Sequence, residues 1–91
     1  MSTIVIEREH RLGRAAAREQ AQYLAERLAQ RYKVRYHWDA DTLILQRRGA
    51  HGSVWVGETQ VCVRLKLGLV LSAFKDSLQA EMEQALDQRL G

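Results

Sequence analysis

Three histidines, one cysteine and a pair of closely spaced aspartates are the side chains of this 91-residue chain best suited to metal binding, nucleophilic attack or acid–base work. His10, His37 and His51 fall in separate segments, and none belongs to an H-x-x-x-H, H-E-x-x-H or Cys/His set, so no metal site is assigned. Cys62 has Arg64 two residues on, a neighbour able to activate a thiol, but no base or second cysteine accompanies it. It is read as a spectator. Asp39 and Asp41 flank Ala40, where aspartate is favoured for bonding to the backbone of a turn, and they are read as turn residues rather than a catalytic pair. The chain has no G-x-S-x-G elbow, phosphate-binding glycine loop or dinucleotide fingerprint. No catalytic residue and no cofactor is expected, and the sequence reads as that of a non-enzyme.

Composition narrows the remaining classes. A chain of 91 residues, 46% hydrophobic and 27% charged with no proline, is expected to form one domain, residues 1–91, with a thin but real core. The unpaired cysteine and the lack of a basic, apolar leader point to the cytoplasm. The longest uncharged apolar run, residues 67–74, holds eight residues, whereas a bilayer span needs about 20. No membrane span is expected. The net charge of +3 is uneven: residues 1–48 carry ten Lys/Arg against six Asp/Glu, and residues 49–91 four against five. The sign favours anionic partners, but no cluster reaches the density of a nucleic-acid arm.

Periodicity supplies the elements that must position any site. Residues 3–7, "TIVIE", alternate, with Ile4 and Ile6 on one face. From Arg14 to Tyr32 the positions Ala17, Ala21, Leu24, Leu28 and Tyr32 form one apolar stripe on an otherwise charged helix. The small alanines would let that helix lie close to a sheet. Four short strands follow: "VRYHW", "TLILQRR", "SVWV" and "VCVRLKL", separated by "DAD", "GAHG" and "GETQ". Each alternates, as strands with one dry and one wet face do. Gly68 ends the last. From a Ser72 N-cap, Phe74, Leu78, Met82, Ala85, Leu86 and Leu90 recur at helical spacing up to Gly91.

The order β-α-β-β-β-β-α predicts an α+β two-layer domain: a five-stranded, mainly antiparallel sheet with two amphipathic helices on one face. The first strand could pair antiparallel with the last or run parallel to the second through a crossover. With the helices on the face of Val61, Val63, Leu65 and Leu67, the opposite face displays Arg35, His37, Ile44, Trp55, Arg64 and Lys66. This mixture of cations with an aromatic and an aliphatic is the candidate binding surface. Single-stranded nucleic acid is disfavoured there, because one tryptophan offers one stacking platform. Either this face or an edge strand could pair two copies of the chain.

The same residues carry a family resemblance. "IVIEREHRLG" leading into an alanine-rich helix, then "YKVRYHWDADTLILQRRGAHGSVWV", "VRLKLG", "LVLSAFK" and "EMEQALD", resemble the small bacterial polyhydroxyalkanoic acid system proteins, encoded beside genes for storage-polyester granules. The resemblance covers nearly the whole chain through the ordered set His10, Leu12, Gly13, Trp38, Gly49, Gly52, Leu67, Gly68 and Lys75. "GAHG" departs from a valine-containing turn and "LVLSAFK" from a more leucine-rich form. The resemblance implies a place in polyhydroxyalkanoate metabolism and supplies no catalytic residues.

Two functions are therefore expected to compete: an accessory protein that binds a granule surface or a granule-associated protein, and a small ligand-binding domain that holds an acyl or hydroxyacyl group between helices and sheet. His10 and Gly13 are read as shaping the start of the first helix. Leu69, Val70 and Leu71 have no periodic assignment. They are expected to pack as the corner between sheet and helix, Leu71 acting as a hydrophobic staple. The competing reading makes them an exposed apolar knuckle for granule or partner.

Overall fold

The computed structural model describes residues 2–90. The chain runs β1 (Ser2–Glu9), α1 (Arg14–Tyr32), β2 (Arg35–Asp39), β3 (Thr42–Arg47), β4 (Ala50–Val56), β5 (Gln60–Leu67), a 3-10 turn (Leu71–Phe74) and α2 (Lys75–Leu90). The five strands form one antiparallel sheet in the order β1-β5-β4-β3-β2. Of the two placements open for the first strand, antiparallel pairing with the last is the one adopted, with Ile4 opposite Leu65 and Ile6 opposite Val63. Both helices lie on the face that holds Ile4, Ile6, Leu43, Leu45, Val54, Val56, Val61 and Val63.

Why these residues make these elements follows from their faces. The α1 stripe buries Ala17, Ala21, Leu24 and Leu28, joined by Ala25. With alanine at three of these positions the helix can sit low on the sheet, burying more apolar area per residue than larger side chains at that spacing would permit. Met82, Leu86 and Leu90 anchor α2. Gly91, expected to close that helix, lies outside the described residues.

Side chains tie the layers at three corners. Arg18 donates to the Ala40 carbonyl at 2.8 Å and to the Asp41 carboxylate at 2.9 Å, and Arg14 lies 3.5 Å from the same carboxylate. That fixes the β2–β3 turn, where Ala40 takes a left-handed conformation. Arg8 bridges β1 to Asp87 and Glu83 of α2, and its pKa is raised above the ordinary arginine value chiefly by the hydrogen bond to Asp87. Arg31 and Tyr32, at the end of α1, both reach Glu81 of α2. Exposed pairs of this kind contribute at most about 1 kcal/mol each, so they orient the layers more than they stabilise them.

Several boundaries differ from the expectation. "GAHG" is not a break: Arg48 and Gly49 alone make the turn, and Ala50, His51 and Gly52 belong to β4. Gly49, at φ +84°, supplies the left-handed residue that a two-residue hairpin requires. Ser72 does not cap a helix. It sits inside the 3-10 turn, where its hydroxyl donates to the Gly68 carbonyl at 2.8 Å and accepts from the Ser2 hydroxyl at 3.0 Å. Phe74, expected to begin the buried stripe, is 59% exposed, because the 3-10 turn carries it past the face that α2 presents to the core.

Candidate functional site

The strand register sets the candidate binding residues in rows across the open face of the sheet. Arg35, Gln46, His51, Lys66 and Thr3 are aligned across the five strands, and the next row holds His37, Ile44, Ser53, Arg64 and Val5. A third holds Asp39, Thr42, Trp55, Cys62 and Glu7. Thus Arg35, His37, Ile44, Trp55, Arg64 and Lys66 do share one face. Two features weaken it as a recognition surface. Glu7, Glu9 and Asp39 stand on the same face and balance its cations, and Trp55 is only 44% exposed because its ring lies over Gly57, where an added Cβ would come within 2.5 Å of it.

The other side chains considered for chemistry are occupied. Asp41 is held by Arg14 and Arg18. His10 is 5% exposed, with Nδ1 accepting from the Leu12 amide at 3.2 Å and Nε2 lying 3.2 Å from the Gly57 carbonyl. That pattern makes Nε2 the protonated nitrogen. It ties the segment after β1 to the far turn of the sheet, in keeping with a shaping role. Among the described residues no three His, Cys, Asp or Glu side chains come together as a metal-binding group.

A second feature lies at the end of the molecule bounded by the β3–β4 hairpin. Here α1 ends and α2 begins, and the helices leave an apolar crevice of about 270 Å³ above the sheet. Leu45, Ala50, Leu65 and Leu67 line it from the sheet, Leu28, Tyr32 and Val34 from the side of α1, and Leu71, Phe74 and Leu78 from the opposite side. Ala50 is the cause visible in the sequence: on the core face of β4 it stands in line with Val54 and Val56 but fills less space. Reading "GAHG" as a turn conceals that position.

The expected corner divides at this crevice. Leu71 packs against the core and over Gly49, as a corner residue should, but Leu69 and Val70 are 82% and 79% exposed. The chain must leave β5 and rise to the helical layer, and the 3-10 turn lets one of the three side chains face inward. Leu69, Val70 and Phe74 therefore form an exposed apolar lip beside an apolar crevice. Apolar groups gathered at one end of a small domain mark an interaction site more often than scattered ones do.

Tyr32 stands at the rim. Its hydroxyl donates to Glu81 at 2.7 Å, and this bond, followed by desolvation and the Glu81 charge, raises its pKa above the ordinary tyrosine value of about 10, with Arg31 opposing. A pKa raised by folding adds stability that is fully present below the unfolded value and is lost as pH rises through the folded one. Ultraviolet titration of tyrosinate should thus show Tyr32 ionising later than in Glu81→Gln, in which it should return toward the ordinary value.

Among the described residues no helix is long and apolar enough to cross a membrane. Comparison with curated proteins and with solved structures finds no match. Residues 4–90 match the profile of the family described as "Putative polyhydroxyalkanoic acid system protein", and the chain belongs to that family.

Proposed function

We propose that the chain is a non-enzymatic accessory protein of the polyhydroxyalkanoate storage system that works by contact, and that the contact is made by the apolar lip. Family membership supplies the setting. The single observation that carries the reading is the exposure of Leu69, Val70 and Phe74, three large apolar side chains within six residues. An aliphatic polyester granule, or a protein coating it, offers an apolar surface. Burying one such side chain fully contributes about 1.5–3 kcal/mol, so three contribute at most about 9 kcal/mol, which is comparable with the cost of association and makes the attachment weak and reversible. In this reading the open sheet face, with its balanced charges, is a solvated surface.

The test is fractionation of tagged protein from polyester-storing cells. Wild type should sediment with the granules, and Leu69→Ser/Val70→Ser should move most of it to the soluble pool. Arg64→Ala/Lys66→Ala, on the open face, should not. A wild-type pool that is wholly soluble, with no granule protein co-purifying, would overturn the proposal, and so would release by the open-face variant alone.

A further inference from the structure

We propose that the crevice takes the hydrocarbon chain of a single-chain amphiphilic carboxylate, its head group resting on Lys33, Arg35, Arg47 and Arg48. This occupant differs from the granule contact, because Leu69 and Val70 do not line the crevice and Phe74 alone belongs to both.

Size and lining fix the chain. An apolar cavity of about 150 Å³ accommodates benzene. On that scale the 270 Å³ here holds an alkyl chain on the order of ten carbons. A two-chain lipid would not fit. Between α1 and α2 the walls are almost wholly hydrocarbon, and Tyr32, the phenol among them, spends its proton on Glu81. Nothing inside selects a polar ligand.

Charge at the mouth fixes the head group. A shallow recess lined by Lys33, Arg35, Gln46, Arg47 and Arg48 adjoins the crevice and shares Gln46 and Arg47 with it. No Asp or Glu lines either one. Among the described residues these four cations have no salt-bridge partner, and what sets them apart from the other unpaired Lys and Arg is that they gather in one recess beside an apolar crevice. Arg47 is also held in place: Nη1 donates to the Tyr32 carbonyl at 2.7 Å and Nε to the Arg48 carbonyl at 3.0 Å. Its position in β3 puts it on the core side with Leu43 and Leu45, so the guanidinium closes one side of the crevice. A guanidinium has five N–H donors, and those left over face the solvent at the mouth. Carboxylate geometry suits such a fork. A neutral amphiphile would leave the four charges unanswered, and a cationic one would be repelled.

Sodium decanoate is the probe, kept below its micelle-forming concentration, with 1-decanol as the uncharged control and methyl and amide NMR shifts as the readout. Decanoate should shift Leu28, Leu45, Leu65 and Leu71 with saturation. Lys33→Glu/Arg48→Glu, which leaves the crevice wall formed by Arg47 intact, should weaken decanoate at least about tenfold and leave decanol nearly unchanged. Ser77→Trp, at an exposed position on the rim that needs no core repacking, should abolish both. The inference is overturned if decanoate produces no saturable shifts, if the shifts centre on Trp55, or if Lys33→Glu/Arg48→Glu binds decanoate as wild type does. Leu69→Ser/Val70→Ser should bind decanoate normally. Loss of granule sedimentation in that variant with decanoate binding intact, or the reverse in Ser77→Trp, separates the two proposals.

Discussion

Gly52→Ala is expected to destabilise the protein by about 3 kcal/mol, at the upper end of overpacking costs. Gly52 lies in β4, the central strand, between Leu45 of β3 and Leu65 of β5. A Cβ built there would lie 2.1 Å from the Arg64 carbonyl oxygen and 2.8 Å from the Leu65 Cα. Both obstacles are backbone, so no side-chain rotation relieves the clash, and β4 and β5 must move apart where the sheet is paired on both sides. The gain from a stiffer unfolded chain, about 0.4–1 kcal/mol, is too small to offset this. For a domain of this size, 3 kcal/mol corresponds to a fall in Tm of about 12–24 °C. Thermal unfolding followed by circular dichroism reads it directly. Ser53→Ala, one residue along on the open face, should stay within about 0.5 kcal/mol of wild type. A Gly52→Ala variant that melts with wild type would show that the close approach of β4 to β5 is not maintained in solution.

That position also shows what the sequence makes legible and what it hides. Alternation in "VCVRLKL" and the stripe from Ala17 to Tyr32 depend on nearest neighbours along one element, and both correspond to buried faces in the structure. Both helices, all five strands and the order of elements could be read this way. What stayed hidden depends on neighbours distant in sequence. Glycine usually signals a turn, and the strand character of "AHG" comes from β3 and β5 on either side of it. Likewise Phe74 fits a helical stripe by spacing, and the 3-10 turn that displaces it is set by Ser72 bonding back to Gly68 across the corner. The open-face residues were legible as a set because register follows from alternation. The crevice was not, since it is an absence of volume over Ala50 created where two helix ends diverge.

The residues that carry the family resemblance divide in the same manner. Gly49 turns the β3–β4 hairpin, and Gly52 permits the close strand approach. Trp38 faces α1, with Arg18 4.2 Å above its ring and Nε1 donating to Gln22 at 2.9 Å. Leu67 is core. These are framework roles, whereas the residues proposed to act, Leu69, Val70, Arg47 and Arg48, lie within the matched segments but outside that ordered set.

His10 is the sharpest case, because a buried histidine invites a chemical role. Its replacement by alanine is expected to cost about 2–4 kcal/mol, through loss of packing and through leaving the Leu12 amide and the Gly57 carbonyl without partners. The two bonds can be separated. Asparagine keeps an acceptor near the Nδ1 position and glutamine a donor near Nε2, so His10→Asn should protect the Leu12 amide and His10→Gln the link to the β4–β5 turn. Each should recover about 1 kcal/mol of the loss. Urea denaturation gives the free energies, and hydrogen exchange at the Leu12 amide distinguishes which bond survives. A chemical role would instead make all three variants equally defective in function at undiminished stability. Since His10 also accepts register from the opposite side, its own amide donating to the Thr59 carbonyl at 2.8 Å, the ring extends a backbone link already present. The free-energy loss should appear as slower refolding if β1 has docked on the β4–β5 turn in the transition state and as faster unfolding if it docks later, which a φ-value from His10→Asn reads.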